Sequence, residues 1–360
     1  MRLILHIGQQ KAGSTALQSF LANNRRTLAR HGIAYPATPF GSIEHGALSS
    51  LVFEKSRWPR QITHRAGTPG QRPRPEGRRL IRELERISRR RDVHTVVVST
   101  EYLFRELSES NKKALADQVL SKFEDVTALA YIREPADRYL SQCLQRIRHS
   151  STIPNPGSGR FRKVLESWAE VVPLSVRGYD RELLSGGDVV LDFIEHFLPQ
   201  VPREQLDCKP PRDNVALSPE IGAILQQYRR SLYPEQDNVI RSDGKRLAQM
   251  LTRIAEKEGC LNRARLYPCI RDHILWKFAD ELRWLNETHG VRFSQPSTAT
   301  KGRQAAQPRV RNIEDICFVD DALQTRLEML VWQHYLGRAT VPGLAFLRIA
   351  ANWIRSQLSR

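Results

Sequence analysis

The chain has 360 residues, with 56 Lys and Arg against 39 Asp and Glu, for a formal net charge of +17 at pH 7. Apolar residues make up 40% of it and charged residues 26%, which excludes a mainly disordered chain and leaves enough apolar side chains for a sizeable core. The positive balance predicts attraction to anions and leaves nucleic acid, membrane surface, acidic glycan and nucleotide all open as partners.

In chain order, Leu3-Ile-Leu-His-Ile7 is a short apolar run ending at Gly8, the form of a buried parallel strand. No cationic stretch precedes it and no small-residue cleavage site follows, so a signal peptide is not expected. Ala16, Leu17, Phe20, Leu21 and Leu28 then fall at helical spacing and predict a helix over 14–30. Residues 55–92 form a basic insert with 13 Lys and Arg against 4 Asp and Glu. Within it, residues 67–77 are rich in Gly and Pro and read as a loop, while 78–91 read as a very basic helix. Residues 93–99 and 126–132 read as a second and third buried strand, with Pro135 placed where a helix has its first turn. Residues 174–179 make a fourth.

Phe161, Val164, Leu165 and Trp168 mark one amphipathic helix, and Val190, Phe193, Ile194, Phe197 and Leu198 another, stopped by Pro199. Strands alternating with helices imply right-handed βαβ units and a parallel sheet. From Ser218-Pro219, an N-cap and first-turn signal, the pattern is helical. Residues 295–308 read as a loop. In 343–360, Leu347, Ala350, Ile354 and Leu358 share a helical face, which fits a docked final helix or an interfacial one in peripheral contact with a membrane. No apolar run approaches the ~20 residues that span a bilayer. Five cysteines with no CxxC pair and no Cys/His cluster predict scattered thiols in a reduced cytoplasm rather than zinc or a disulfide framework.

The most informative stretch is Gly8-Gln-Gln-Lys11-Ala-Gly13-Ser14-Thr15, between the first strand and its helix. A glycine-bearing loop feeding a helix N-terminus offers backbone N–H groups and a positive dipole end to phosphate. The nucleoside-triphosphate loop has the pattern GxxxxGK[ST]. Gly8 and Gly13 keep its spacing, but Ser14 stands where that pattern has lysine, and the lysine sits inside the loop at position 11. No strand ends in an apolar run plus Asp suited to Mg²⁺. Both departures weigh against an ATPase, GTPase or P-loop kinase.

His6-Ile-Gly-Gln-Gln-Lys11-Ala-Gly-Ser-Thr-Ala-Leu-Gln18, then Leu-Ala-Asn-Asn-Arg25 and Gly32-Ile-Ala-Tyr-Pro36, resembles the start of bacterial sulfotransferases. Tyr131-Ile-Arg133-Glu-Pro-Ala-Asp-Arg138-Tyr-Leu-Ser141 is similar to that family's second motif, and Gly178-Tyr-Asp180 with residues 187–197 add to the likeness. The resemblance covers residues 1–200 well and extends loosely to about 295. It implies a P-loop-like three-layer α/β fold, a central parallel sheet flanked by helices, with a helical C-terminal part. The implied sulfotransferase domain is 1–295, mainly helical over 215–295, followed by a loop and helical extension at 296–360. It implies 3′-phosphoadenosine 5′-phosphosulfate (PAPS) as sulfuryl donor and no metal. Gln10, Lys11, Ala12, Gly13, Ser14 and Thr15 would cradle the 5′-phosphosulfate, and Arg133 and Ser141 would hold the 3′-phosphate.

These assignments also make chemical sense of the residues. Lys11 can neutralise charge growing on the leaving phosphate oxygen. Arg133, ending a buried strand at the carboxyl edge of the sheet, can grip a phosphate bidentately. Val96-Val-Val-Ser99-Thr100-Glu101 ends the second strand in a carboxylate at the same edge, and Glu101 is the candidate base. The carbohydrate-acting branch of the family typically has a Glu after this strand. His6, inside the first strand, reads as a core histidine. Lys301-Gly302-Arg303 could add a phosphate contact.

The reading is a cytoplasmic sulfotransferase, membrane-associated at the inner face if the last helix is interfacial. It would act on an anionic glycan or glycolipid steered by Arg72, Arg74, Arg78, Arg79 and Arg82. A basic nucleic-acid-binding protein is the alternative from another class, but no zinc-finger, RNA-recognition or helix-turn-helix signature supports it, and no nucleic-acid partner is expected.

Overall fold

The structure is a computed structural model. It describes residues 1–38, 42–59, 62–63, 72–157, 160–209, 217–234, 239, 241–294 and 309–336. The expected loop at 295–308 with Lys301-Gly302-Arg303, and the expected helix at 343–360, lie outside the described residues.

The elements that position the site are, in chain order, β1 (Arg2–His6), α1 (Ser14–Asn23), α2 (Arg25–Arg30), β2 (Ile33–Ala34), α3 (Pro73–Ser88), β3 (Thr95–Ser99), β4 (Asp125–Arg133), α4 (Pro135–Ile147), β5 (Leu174–Tyr179) and α5 (Val189–Phe197). The five strands form one parallel sheet in the order β2-β3-β1-β4-β5. The protein is therefore α/β with a parallel sheet.

The register places Ile4 between Val97 and Thr127, and His6 between Ser99 and Leu129. On one face Ile4, Val97, Leu129 and Tyr131 pack in a common core with Leu17, Phe20 and Leu21 of α1 and Val190, Phe193 and Phe197 of α5. On the other face Leu3, Leu5, Val96, Val98, Ala128, Ala130 and Ile132 are buried too. Burial on both faces explains why these strands are continuous apolar runs in the sequence.

An ion pair with a buried carboxylate ties α5 to the sheet. Arg177 of β5 donates Nε and Nη2 to the Asp192 carboxylate at 2.5 and 2.6 Å, and the Tyr131 hydroxyl of β4 donates to the same carboxylate at 2.7 Å.

Three details differ from the sequence reading. The helix expected over 14–30 is two helices, because Asn24 stands at the break with its amide donating to Phe20 O and Asp207 O, both at 2.9 Å. A side chain that bonds backbone outside its own helix competes with continuing it. The residues 67–77 expected as a loop become helical from Pro73, with proline in the first turn and Glu76 Oε1 accepting from Arg72 N. β2 was not foreseen, since a two-residue strand leaves no periodicity to read.

The chain divides into two compact units that interleave in sequence. The first comprises Met1–Glu134, Gly159–Pro211 and Asp280–Ser294 and holds the sheet. The second comprises Pro135–Ser158, Arg212–Ala279 and Gln295–Arg360. Its described residues are mainly helical: α4 and the helices Pro219–Leu232, Ser242–Lys257, Pro268–Lys277 and Asp321–Leu336. Ser218 caps Pro219–Leu232 by accepting from Ile221 N at 3.3 Å. Among the described residues no helix is long and apolar enough to cross a membrane.

Candidate anion-binding site

β1 lies between β3 and β4, so the chain leaves it toward one side of the sheet and later continues on the other. The carboxyl end of such a strand is where open α/β sheets bind ligands. The loop 8–13 starts there. Gln9 extends the strand pairing past β1: its N–H donates to Tyr131 O at 3.3 Å, and its side-chain Oε1 accepts from Arg133 N at 3.0 Å. Gly13 then opens α1 in the left-handed region at φ 80°. α1 has no side-chain N-cap bond and no acidic residue in its first turn, which keeps its positive end available to an anion.

Lys11 also takes a left-handed backbone, with φ 71°, the one described residue other than glycine to do so. That conformation is costly for a residue with a Cβ. Arg133 secures it: its Nη1 donates to Lys11 O at 3.0 Å, and its guanidinium lies 5.6 Å above the Tyr179 ring. The Tyr179 ring also closes over Gly13, where an added Cβ would stand 2.5 Å from Tyr179 Cε2. Arg133, Lys11, Gly13 and Tyr179 are thus one packed group. Arg133 was expected as a phosphate clamp; its first visible task is to shape the loop.

Ser14, buried at the first position of α1, has an Oγ with no hydrogen-bond partner among the described residues. Such an orphaned hydroxyl at a helix start fits a ligand oxygen. Gln10 and Thr15 are exposed, Ala12 is buried, and Lys11 and Gly13 are half-buried.

Glu101 follows β3 in a short 3₁₀ turn capped by Thr100, whose Oγ1 accepts from Tyr102 N at 3.2 Å. Burial raises the pKa of its carboxyl above the ordinary value, and the nearby Lys11 ammonium pulls it partway back. The two residues, 90 positions apart in sequence, therefore share one electrostatic environment at the sheet edge.

Ser141 lies two turns into α4, half-buried, in the second unit.

Residues to which the sequence reading gave no part in the site also lie here, among them His6, which is the core histidine expected. His6 is fully buried beneath the loop, its Nδ1 2.7 Å from Ser99 Oγ, and Gln18 Nε2 donates to the same oxygen at 3.2 Å. Gln9 and Tyr179 complete the set. Only the pleat could have pointed to His6 and Ser99, because adjacent parallel strands bring their last residues together.

No family model, no curated protein and no solved structure matches the chain.

Proposed function

We propose that the protein is a sulfotransferase with a P-loop-like three-layer fold, which moves the sulfuryl group of PAPS to a hydroxyl of an anionic glycan or glycolipid. The observation that carries this reading is a lysine-bearing loop at the end of the central strand, with the orphaned Ser14 hydroxyl at its helix start and the Glu101 carboxyl close enough to feel Lys11. The loop amides and Ser14 would hold the 5′-phosphosulfate, and Lys11 would stabilise the oxygen that leaves. The acceptor oxygen bonds to sulfur as the bridging S–O bond breaks, the hydroxyl proton goes to Glu101, and adenosine 3′,5′-bisphosphate departs. A carboxyl raised by burial is a better-matched base near neutral pH than an exposed one. The resemblance adds Ser141, eight residues after Arg133, as a hydroxyl donor to the 3′-phosphate.

The test is thermal shift with adenosine 3′,5′-bisphosphate, ATP-Mg²⁺ and duplex DNA in parallel. Stabilisation by the bisphosphate without added metal, together with sulfate transfer from labelled PAPS to envelope glycans that Lys11→Ala abolishes, supports the reading. Stabilisation by ATP-Mg²⁺ alone would replace it with a kinase, and by DNA alone with a nucleic-acid binder.

A further inference from the structure

Two buried polar atoms lie beside the place where a side chain on residue 8 would begin. A Cβ placed on residue 8 would clash with the His6 imidazole, 2.7 Å from Cε1 and closer still to Nε2, and would lie 3.1 Å from Ser14 Oγ. His6 is 0% exposed and Ser14 4% exposed, and neither His6 Nε2 nor Ser14 Oγ has a hydrogen-bond partner among the described residues. An unpartnered buried donor or acceptor is costly, so two beside one glycine need an explanation. Gly8 is required here for close approach: any side chain would collide with the His6 ring.

The other side of the imidazole is built. Gln18 of α1 donates to Ser99 Oγ, and that oxygen lies 2.7 Å from His6 Nδ1. Gln18 takes one lone pair of Ser99 Oγ, and in the tautomer with the ring proton on Nε2 the Ser99 hydroxyl gives its proton to Nδ1. Burial drives the His6 pKa down to about 3 and keeps the ring neutral, with a single ring proton to place.

Resting on the sulfotransferase reading, we infer that His6 is a positioning residue for the donor: its Nε2–H bonds Ser14 Oγ when the loop takes up an anion, so that the Ser14 hydroxyl proton points at the ligand oxygen. The relay runs Gln18 to Ser99 to His6 to Ser14, every link a donor in the same direction. It fixes the sense of a hydroxyl that could otherwise rotate and present its lone pairs to a negative oxygen. Ser14 thereby serves as a donor without any charge being added beneath the loop.

The test pairs ring spectroscopy with a mutant cycle. In ligand-free protein, long-range ¹H–¹⁵N correlation should show the His6 proton on Nε2, and saturating adenosine 3′,5′-bisphosphate should shift that resonance. A ring protonated on Nδ1, or an Nε2–H signal indifferent to bound ligand, overturns the relay. His6→Gln keeps an amide near the Nε2 position and should retain bisphosphate affinity. His6→Asn keeps only the Nδ1 position and should bind about tenfold more weakly, the scale of one hydrogen bond. In Ser14→Ala that loss should vanish, whereas full additivity would make His6 merely structural. If His6→Asn does not fold, His6→Gln and the ring signals still decide. If the wild type binds no bisphosphate, the donor reading falls, and the cycle is run with inorganic pyrophosphate. Coupling between His6 and Ser14 then keeps the relay for another anion, and a loop that binds neither overturns both.

Discussion

On the sulfotransferase proposal, Glu101 carries two opposed demands, one from stability and one from chemistry. Burial makes its charged form unfavourable in the folded state, with Lys11 offsetting part of the cost. A carboxyl whose folded pKa is raised contributes stability below its unfolded pKa, and that contribution is lost as pH rises through the folded value. Glu101→Gln should therefore raise the urea midpoint at pH 7 while removing turnover and leaving bisphosphate affinity intact. A variant with wild-type turnover at neutral pH would place the base elsewhere. In the unsubstituted protein, kcat/KM for the proposed transfer should rise with pH through the Glu101 pKa. Arg133 belongs to the same scale. Arg133→Ala removes the hold on Lys11 O and, on the sulfotransferase proposal, a cation for the 3′-phosphate, and should then weaken bisphosphate binding by about 1.5–3 kcal/mol. Arg133→Lys should not restore it, because a single ammonium cannot reproduce a planar fork stacked on Tyr179. Equal affinities for wild type and Arg133→Ala by titration calorimetry would remove Arg133 from the site.

Elements decide how firmly the site is held. α1 begins at Gly13 because the left-handed backbone there is cheap only without a Cβ, and because Tyr179 and Val189 leave no room for one. Gly13→Ala should cost at least about 1–2 kcal/mol from the backbone alone, with more from the clash. Adding Tyr179→Leu should return part of that in chemical denaturation; no recovery would mean that the ring is not the obstacle.

α3 shows the opposite case, an element whose chemistry is all on its exterior. Leu80, Ile81, Leu84 and Ile87 are buried, while Arg72 just before it and Arg74, Arg78, Arg79 and Arg82 along it are exposed. Replacing the five arginines with Gln should raise the acceptor KM and flatten its salt dependence, because exposed charges act over roughly 10 Å at 0.1 M salt. Stability should move little, apart from the loss of Arg74 over the Trp58 ring. An acceptor KM insensitive to both salt and substitution would leave this helix as a solvated face.

At the scale of the whole molecule, two buried histidines bracket Ser99 and set the response to acid. His45 Nδ1 accepts from Ser99 N at 3.0 Å and its Nε2 meets Pro36 O at 2.9 Å, so both nitrogens are committed in the neutral ring. Burial holds the folded pKa of His6 at about 3 and that of His45 at about 4. The unfolded chain protonates near the ordinary 6.5, so it binds more protons between these values, and stability rises with pH across that window. From pH 7 to pH 5 each histidine should cost the fold about 2 kcal/mol. Urea midpoints at the two pH values test this, and His45→Gln should reduce the difference. A wild-type midpoint that does not move would contradict the neutral, buried assignment.

Much of this architecture is written locally. The runs 3–7, 93–99, 126–132 and 174–179 announce strands because both faces of the sheet are covered, and the Gly8–Thr15 pattern marks a tight strand-to-helix loop because Gly8 allows a close approach and Gly13 a left-handed backbone. Lys11, Glu101 and Arg133 were legible as candidates since each stands where a strand meets its loop. The sequence could not show that Arg133 bonds Lys11 O, that Tyr179 closes over Gly13, or that His6, Ser99, Gln18 and Ser14 converge beneath the loop. Those relations join residues up to 166 positions apart (Lys11 and Arg133 122 apart, Gly13 and Tyr179 the farthest). Strand order and register bring them together, and both are fixed by packing across the whole sheet rather than by any local preference of the chain.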